Sequence, residues 1–213
     1  MKKPVIILGA RDLGKLALEI FQKNGVVVYG LLAEDGALQN QDLNHVPILG
    51  SIADEQYLAL LGNDCEAFVA LEQSASRQQL ITMLYEQRQV MPINAIHASA
   101  TLAESAGIGH GNLVNVGASL GPDANLGSHC IIHTHAVIEH AAIIKDFVQV
   151  GAGSIIGTQA VLEKHVFIGL GATLVAGIQV GAGARIGAGS VVLAHVKPGE
   201  TVLGNPAKPV KLE

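Results

Sequence analysis

Tryptophan is missing from these 213 residues, and the aromatic share is only 3%. A chain that is 49% hydrophobic, with a mean hydropathy of +0.40, cannot fill its interior with large rings. It must use small aliphatic side chains in a regular array. Cysteine is nearly absent too. Cys65 and Cys130 stand far apart in no CxxC pattern, which excludes a disulfide scaffold and suits a reducing cytosol. Charge is sparse at 15%, the net charge is −5, and no long basic run offers a footprint for nucleic acid. The start, MKKPVIILGARDLG, holds only a short apolar run before Gly9, too short for a signal h-region or a membrane span.

What is present falls into two grammars. Residues 1–95 alternate strand and helix patterns. KPVIILG reads as a strand, and ARDLGKLALEIFQKNG as a helix with Leu13, Leu16, Ala17, Ile20 and Phe21 on one face, closed by Gly25. VVVYGLL is a second strand. SIADEQYLALLG reads as a helix capped by Ser51 and stopped at Gly62. CEAFVAL is a third strand, and SRQQLITMLYEQRQ a helix. Such alternation predicts a small parallel sheet.

From Ile96 a period of six takes over. Every sixth residue from Ile96 to Val192 is Ile, Leu or Val, 17 of 17, whereas the other 85 positions from 97 to 197 hold only 15 such residues. With the aliphatic residue as slot one, slot two is Gly in eight of 17 hexads and slot five is Ala, Ser or Cys in 12 of 17. A period of six predicts a coil with three flat faces, one hexad to a face and three hexads to a turn. Slot one points to the axis, and glycine relieves the corners where φ is positive. Hexads of this kind imply a left-handed parallel β-helix, an exception to the right-handed crossover rule. The fold class read from the sequence is thus an α/β N-terminal domain followed by a left-handed parallel β-helix. Apolar residues in outward slots (Ile131, Val137, Ile143, Ile155, Val161) suggest a flat face buried against another copy.

Three of the nine histidines crowd into HTHAVIEHAAI, residues 133–143. The register separates them. His129 and His135 take slot four of successive hexads, His133 slot two and His140 slot three. No two of these are a full turn of three hexads apart, so they do not stack. Zinc needs three or four ligands converging at about 2.0–2.1 Å, and this cluster does not assemble such a set within one chain. A metal site shared between copies, a general base and a solvated surface remain open on the spacing alone.

These motifs resemble the hexapeptide-repeat acyltransferases, and among them the sugar O- and N-acetyltransferases: IILGARDLG as the glycine loop after the first strand, INAIHASA as the junction into the coil, VIEH as the catalytic segment, and LGNPAKPV as the closing segment. The resemblance implies a nucleotide-sugar-binding Rossmann-like domain over 1–95, an acyltransferase coil over 96–197 and a tail over 198–213. It also implies a cytoplasmic homotrimer, with acetyl-CoA as co-substrate in a groove between coils, a nucleotide sugar as acceptor, no nucleic acid partner and no membrane insertion. The activity it implies is acetyl transfer to the amino group of a nucleotide-linked sugar, with His140 as general base. Transfer to a sugar hydroxyl and a weakly active ligand-binding scaffold are the alternatives. Ala10, Arg11, Glu34, Asp35 and His133 are then expected at the acceptor, and Gln149, Leu170, Ala188 and Lys208 at acetyl-CoA, with Lys211 near its phosphates and no metal ligand. The chain departs from the family pattern at four places. Ala141 stands where relatives carry a glutamate beside the histidine, Gln149 where they carry a second histidine, Arg11-Asp12-Leu13 where they carry Ser-Gly-His, and Glu72 where they carry a glycine.

Overall fold

The structure is a computed structural model that describes residues 3–34, 38 and 41–210. Contacts divide the chain into two compact units, Met1–Ala98 and Ser99–Glu213.

The first unit is a five-stranded sheet with helices. Its elements are β1 (Val5–Leu8), α1 (Asp12–Lys23), β2 (Val28–Ala33), β3 (Asp42–Leu43), β4 (Val46–Ser51), α2 (Glu55–Leu58), β5 (Glu66–Val69) and α3 (Ser74–Arg88). The strand order is β3-β4-β2-β1-β5, parallel except for the short β3–β4 hairpin. Strand β1 lies between β2 and β5 and is buried at every position, as an apolar run covered on both faces should be. Helix α1 buries the predicted Leu13, Ala17, Ile20 and Phe21, and Phe21 meets Phe68 edge-on at 5.6 Å.

Here the sequence reading of 51–62 needs correcting. Ser51 ends β4 rather than capping a helix, and α2 is a single turn preceded by Asp54. The Asp54 carboxylate accepts the Ser51 N–H at 2.8 Å, and the Ser51 hydroxyl accepts from Ala53 N–H, so both polar side chains close a turn. Strand β4 was hidden because PILGS lacks a clean alternation.

The second unit is a coil in which each rung pairs strictly with the rung three hexads on: Ile131 with Gln149, Val137 with Ile155, Ile143 with Val161. Three parallel sheets result. The first face carries Leu113, Ile131, Gln149, Phe167 and Arg185 outward. The second carries Thr101, Ser119, Val137, Ile155, Thr173 and Val191. The third carries Gly107, Asn125, Ile143, Val161 and Gln179. Slot-one residues from Val114 to Val192 point to the axis and are at most 2% exposed; burial of each contributes about 1.5–3 kcal/mol. The last rungs continue the first face, Thr201–Leu203 pairing in parallel with Arg185–Ile186 and then antiparallel with Lys208–Pro209.

Two expectations about the coil change. Positive φ belongs to slot four, not slot two, and it is shared by Gly117, Gly153 and Gly171 with Asp123, His129, His135, Ala141, Phe147, Gln159 and His165. The slot-two glycines answer to close stacking instead: a Cβ on Gly169 would sit 2.6 Å from the Ala188 nitrogen, and one on Gly151 2.7 Å from the Leu170 nitrogen. The outward apolar residues, in turn, do not share one face. Ile131 lies on the first and is already buried, Val137 and Ile155 lie on the second, and Ile143 and Val161 on the third.

Candidate active site

His140 projects from the corner between the second and third faces, since it falls between the rungs Val137–Ile138 and Ile143–Ile144. Its Nδ1 lies 3.0 Å from the Pro122 carbonyl oxygen, one turn earlier, and its ring is half exposed. The carbonyl can only accept, so Nδ1 carries a proton, and in the neutral ring Nε2 keeps its lone pair. Pro122 O also accepts the Ala141 N–H at 2.9 Å, and His140 O accepts from Gln159 N–H at 2.9 Å, so the corner is clamped above and below. Beside it Asp123 Oδ2 stands 3.9 Å from Nδ1. Sequence reasoning missed Pro122 and Asp123; stepping back three hexads from His140 and Ala141 finds both. Glu139, the nearest carboxylate along the chain, is exposed and lines a shallow groove of about 250 Å³ with Ser119, Gly121, Pro122 and Val137.

His133, Leu170 and Ala188 lie at a different corner, between the first and second faces, with Gln149 on the first face beside it. Gln149 Nε2 donates to His133 Nε2 at 3.1 Å, which joins two side chains expected on different ligands and makes Nδ1 the protonated nitrogen of a neutral His133. Leu170 and Ala188 stack on successive turns at this corner, where Gly189 N–H donates to Leu170 O at 2.8 Å. Both are exposed, and among the described residues their own N–H groups donate to no backbone carbonyl. Lys208 is exposed on the closing hairpin opposite Leu203. Lys211 lies outside the described residues.

The third corner is polar and structural. His129, Phe147 and His165, slot-four residues of successive turns, stack with centroids 5.1 and 5.2 Å apart. Burial alone would push the Asp146 carboxyl up. The Ser128 N–H at 3.0 Å, the Lys164 ammonium at 3.0 Å and the nearby His129 outweigh it and hold the carboxyl below the usual range. Among the described residues no group of three or more His, Cys, Asp or Glu could hold a metal.

In the first unit, Ala10 and Arg11 line a cavity of about 510 Å³ with Asp12, Lys15, Gln41 and Asp42, near the carboxyl ends of the parallel strands. That is where open α/β sheets bind ligands, and the volume suits a small molecule. Arg11 Nε approaches Glu34 Oε1 at 4.0 Å, so those two are brought together, while Asp35 lies outside the described residues. The glycines of GARDLG have a packing reason: Gly9 has φ of 126° and a Cβ there would lie 2.4 Å from Ala70 O, while one on Gly14 would lie 2.2 Å from Gly9 O. Arg77, buried, holds the loop after β5 by donating to the Leu71 and Glu72 carbonyls at 2.6 and 3.1 Å. Glu72 thus serves that loop through its backbone.

Both cysteines are buried and unpaired with each other. Burial pushes the Cys65 thiol up, Asp64 and Glu66 add to the effect, and Lys3 opposes it. A thiol in that state is a poor nucleophile. Among the described residues no helix is long and apolar enough to cross a membrane.

No protein-family model and no curated protein matches the sequence. Solved structures do. The architecture, an α/β unit followed by a left-handed parallel β-helix, is that of the hexapeptide-repeat sugar acetyltransferases over nearly the whole chain. A histidine-to-alanine mutant of GDP-perosamine N-acetyl transferase from Caulobacter crescentus, in complex with CoA and GDP-perosamine, superimposes with a TM-score of 0.90. It is 26% identical, and the match covers 99% of this chain and 98% of that one. The acetyltransferase domain of PglB from Neisseria gonorrhoeae, in complex with acetyl coenzyme A, matches with a TM-score of 0.89 at 27% identity, covering 99% of this chain and 100% of that one. WeeI from Acinetobacter baumannii, at 23% identity, shares the fold with a TM-score of 0.87 over 98% of this chain and 100% of its own.

Proposed function

We propose that this protein is an acetyl-CoA-dependent N-acetyltransferase acting on a nucleotide-linked amino sugar, with His140 as general base. The observation that carries the reading is the His140–Pro122 contact, which leaves Nε2 of an accessible imidazole ready to accept a proton. The relatives captured with CoA, acetyl coenzyme A and GDP-perosamine support the choice of substrates.

The chemistry needs little more. The sugar amine attacks the thioester carbonyl, forming the C–N bond, and the tetrahedral nitrogen passes its extra proton to His140 Nε2. Collapse breaks the C–S bond, and the departing thiolate recovers that proton as CoA thiol. A neutral imidazole, with a reference pKa of about 6.5, suits both transfers near neutral pH. The oxyanion needs a backbone donor, and the unpaired N–H groups at the Leu170 and Ala188 corner are of the right kind. No covalent acyl-enzyme is required, in keeping with two buried cysteines.

A homotrimer completes the site in this reading. His140 and the His133–Gln149–Leu170–Ala188 group occupy two corners of one coil, separated by the width of the second face. Copies packed side by side would bring one corner of each kind together. Val137 and Ile155 on one side of the His140 corner, and Ile143 and Val161 on the other, supply apolar surface for that packing; Ile155 is 41% and Ile143 37% exposed in the single chain. Ala10, Arg11, Glu34 and Asp35 would receive the nucleotide, and Lys208 the CoA phosphates. Both substrates are metabolites of the cytoplasm, where we place the enzyme.

The test is thiol release from acetyl-CoA with a panel of nucleotide-linked amino sugars, for the wild type and His140→Ala. Turnover that needs an amino sugar and is lost in the variant supports the reading; equal turnover in both contradicts it. A product ester cleaved by mild base would instead indicate transfer to a hydroxyl.

A further inference from the structure

Ala141 leaves His140 without a carboxylate next to it on the C-terminal side, yet the fold supplies one. Asp123 lies three hexads before Ala141, so it occupies the same corner one turn earlier, and its Oδ2 is 3.9 Å from His140 Nδ1. The placement is built rather than accidental. Asp123 has φ of 57°, and the Ser105 hydroxyl accepts its N–H at 3.0 Å. Pro122, with its fixed φ and its carbonyl bound to the Ala141 N–H, sets the direction of the backbone just before it.

Other charges are poorly placed to substitute. The following turn presents Thr158 and Gln159 at this corner, neither charged. Glu139 precedes the histidine on its own turn and is exposed. Glu104 lies two turns back, about 10 Å away at roughly 4.8 Å per rung.

We propose that Asp123 is a positioning residue for His140: its carboxylate favours the neutral tautomer with the proton on Nδ1 and stabilises the ring after Nε2 has taken a proton. The step it assists is the one already balanced above, and the proposal rests on the general-base reading of His140. Because the pair is half exposed, the effect is modest and screened by salt.

Asp123→Asn tests this, since Asn tolerates the left-handed backbone and removes only the charge. Steady-state thiol release across pH should show kcat lowered about 2- to 5-fold with both KM values unchanged. The gap to wild type should narrow at high salt. Independently of turnover, ¹⁵N spectra of the His140 ring should show a smaller fraction of neutral ring protonated on Nδ1. Wild-type kcat and tautomer fraction in the variant would overturn the proposal. So would a loss of Tm with altered KM and an unchanged tautomer fraction, which marks a structural role. Full turnover in His140→Ala would sink the base reading alone; the tautomer fraction would still decide the role of Asp123.

Discussion

Gln149 and His133 are joined by a 3.1 Å hydrogen bond that crosses from one coil turn to the next. The glutamine amide does not titrate, and by donating to the neutral imidazole it holds that ring in one tautomer. Gln149→Ala should raise KM for acetyl-CoA several-fold while leaving the pH profile of kcat in place, measured by thiol release. Loss of kcat with unchanged KM would assign the pair to the chemical step instead.

Replacing His140 separates base catalysis from binding. Proton transfer by a positioned side chain contributes about 10²–10⁴-fold. His140→Asn should lose kcat in that range and still bind CoA, as read by calorimetry.

The two classes of coil glycine should respond differently to a methyl group. Gly153 has φ of 67° and no atom within 4 Å of a built Cβ, so Gly153→Ala should cost only the left-handed backbone penalty, about 1–2 kcal/mol. At Gly169, where the Cβ would strike backbone of the next turn 2.6 Å away, the stacked turns must part. Gly169→Ala should cost clearly more. Urea unfolding of the two variants ranks them; equal losses would refute the stacking argument.

Asp146 predicts a pH signature. Its carboxyl is held below the usual range in the fold, so its contribution is fully present above the unfolded value of about 3.9 and is lost as pH falls through the folded value. Asp146→Asn should lose about 0.2–1 kcal/mol at neutral pH, the range for an exposed pair. The wild-type advantage should shrink on acidification, as urea midpoints at neutral and strongly acid pH would show.

How much of this was legible beforehand follows from which interactions are periodic. Ile132, Ile138 and Ile144 announce the coil because a slot that faces the axis tolerates only an aliphatic side chain, and the stacking of Ile131 on Gln149 follows from counting three hexads to a turn. The corner conformation was harder. Asp123, His135 and Phe147 adopt positive φ without being glycine, since their N–H groups are held by the turn before, at the Ser105 hydroxyl and the Val116 and Ser128 carbonyls. Ser51 misled because a serine before a polar run reads equally as a helix cap or the end of a strand. Asp123 escaped notice because a contact between turns leaves no mark on adjacent residues; only the offset of one full turn exposes it. The separation of His140 from the Gln149 corner likewise needs the three faces laid out, which slot numbers alone do not convey.

The most direct measurement is acetyl transfer itself, with purified protein, acetyl-CoA and nucleotide-linked amino sugars, comparing wild type with His140→Ala. The account predicts amide product and stoichiometric CoA thiol from the wild type and at least roughly a 100-fold loss in the variant, in line with about 10²–10⁴ for a general base. Undiminished amide formation by His140→Ala would contradict it.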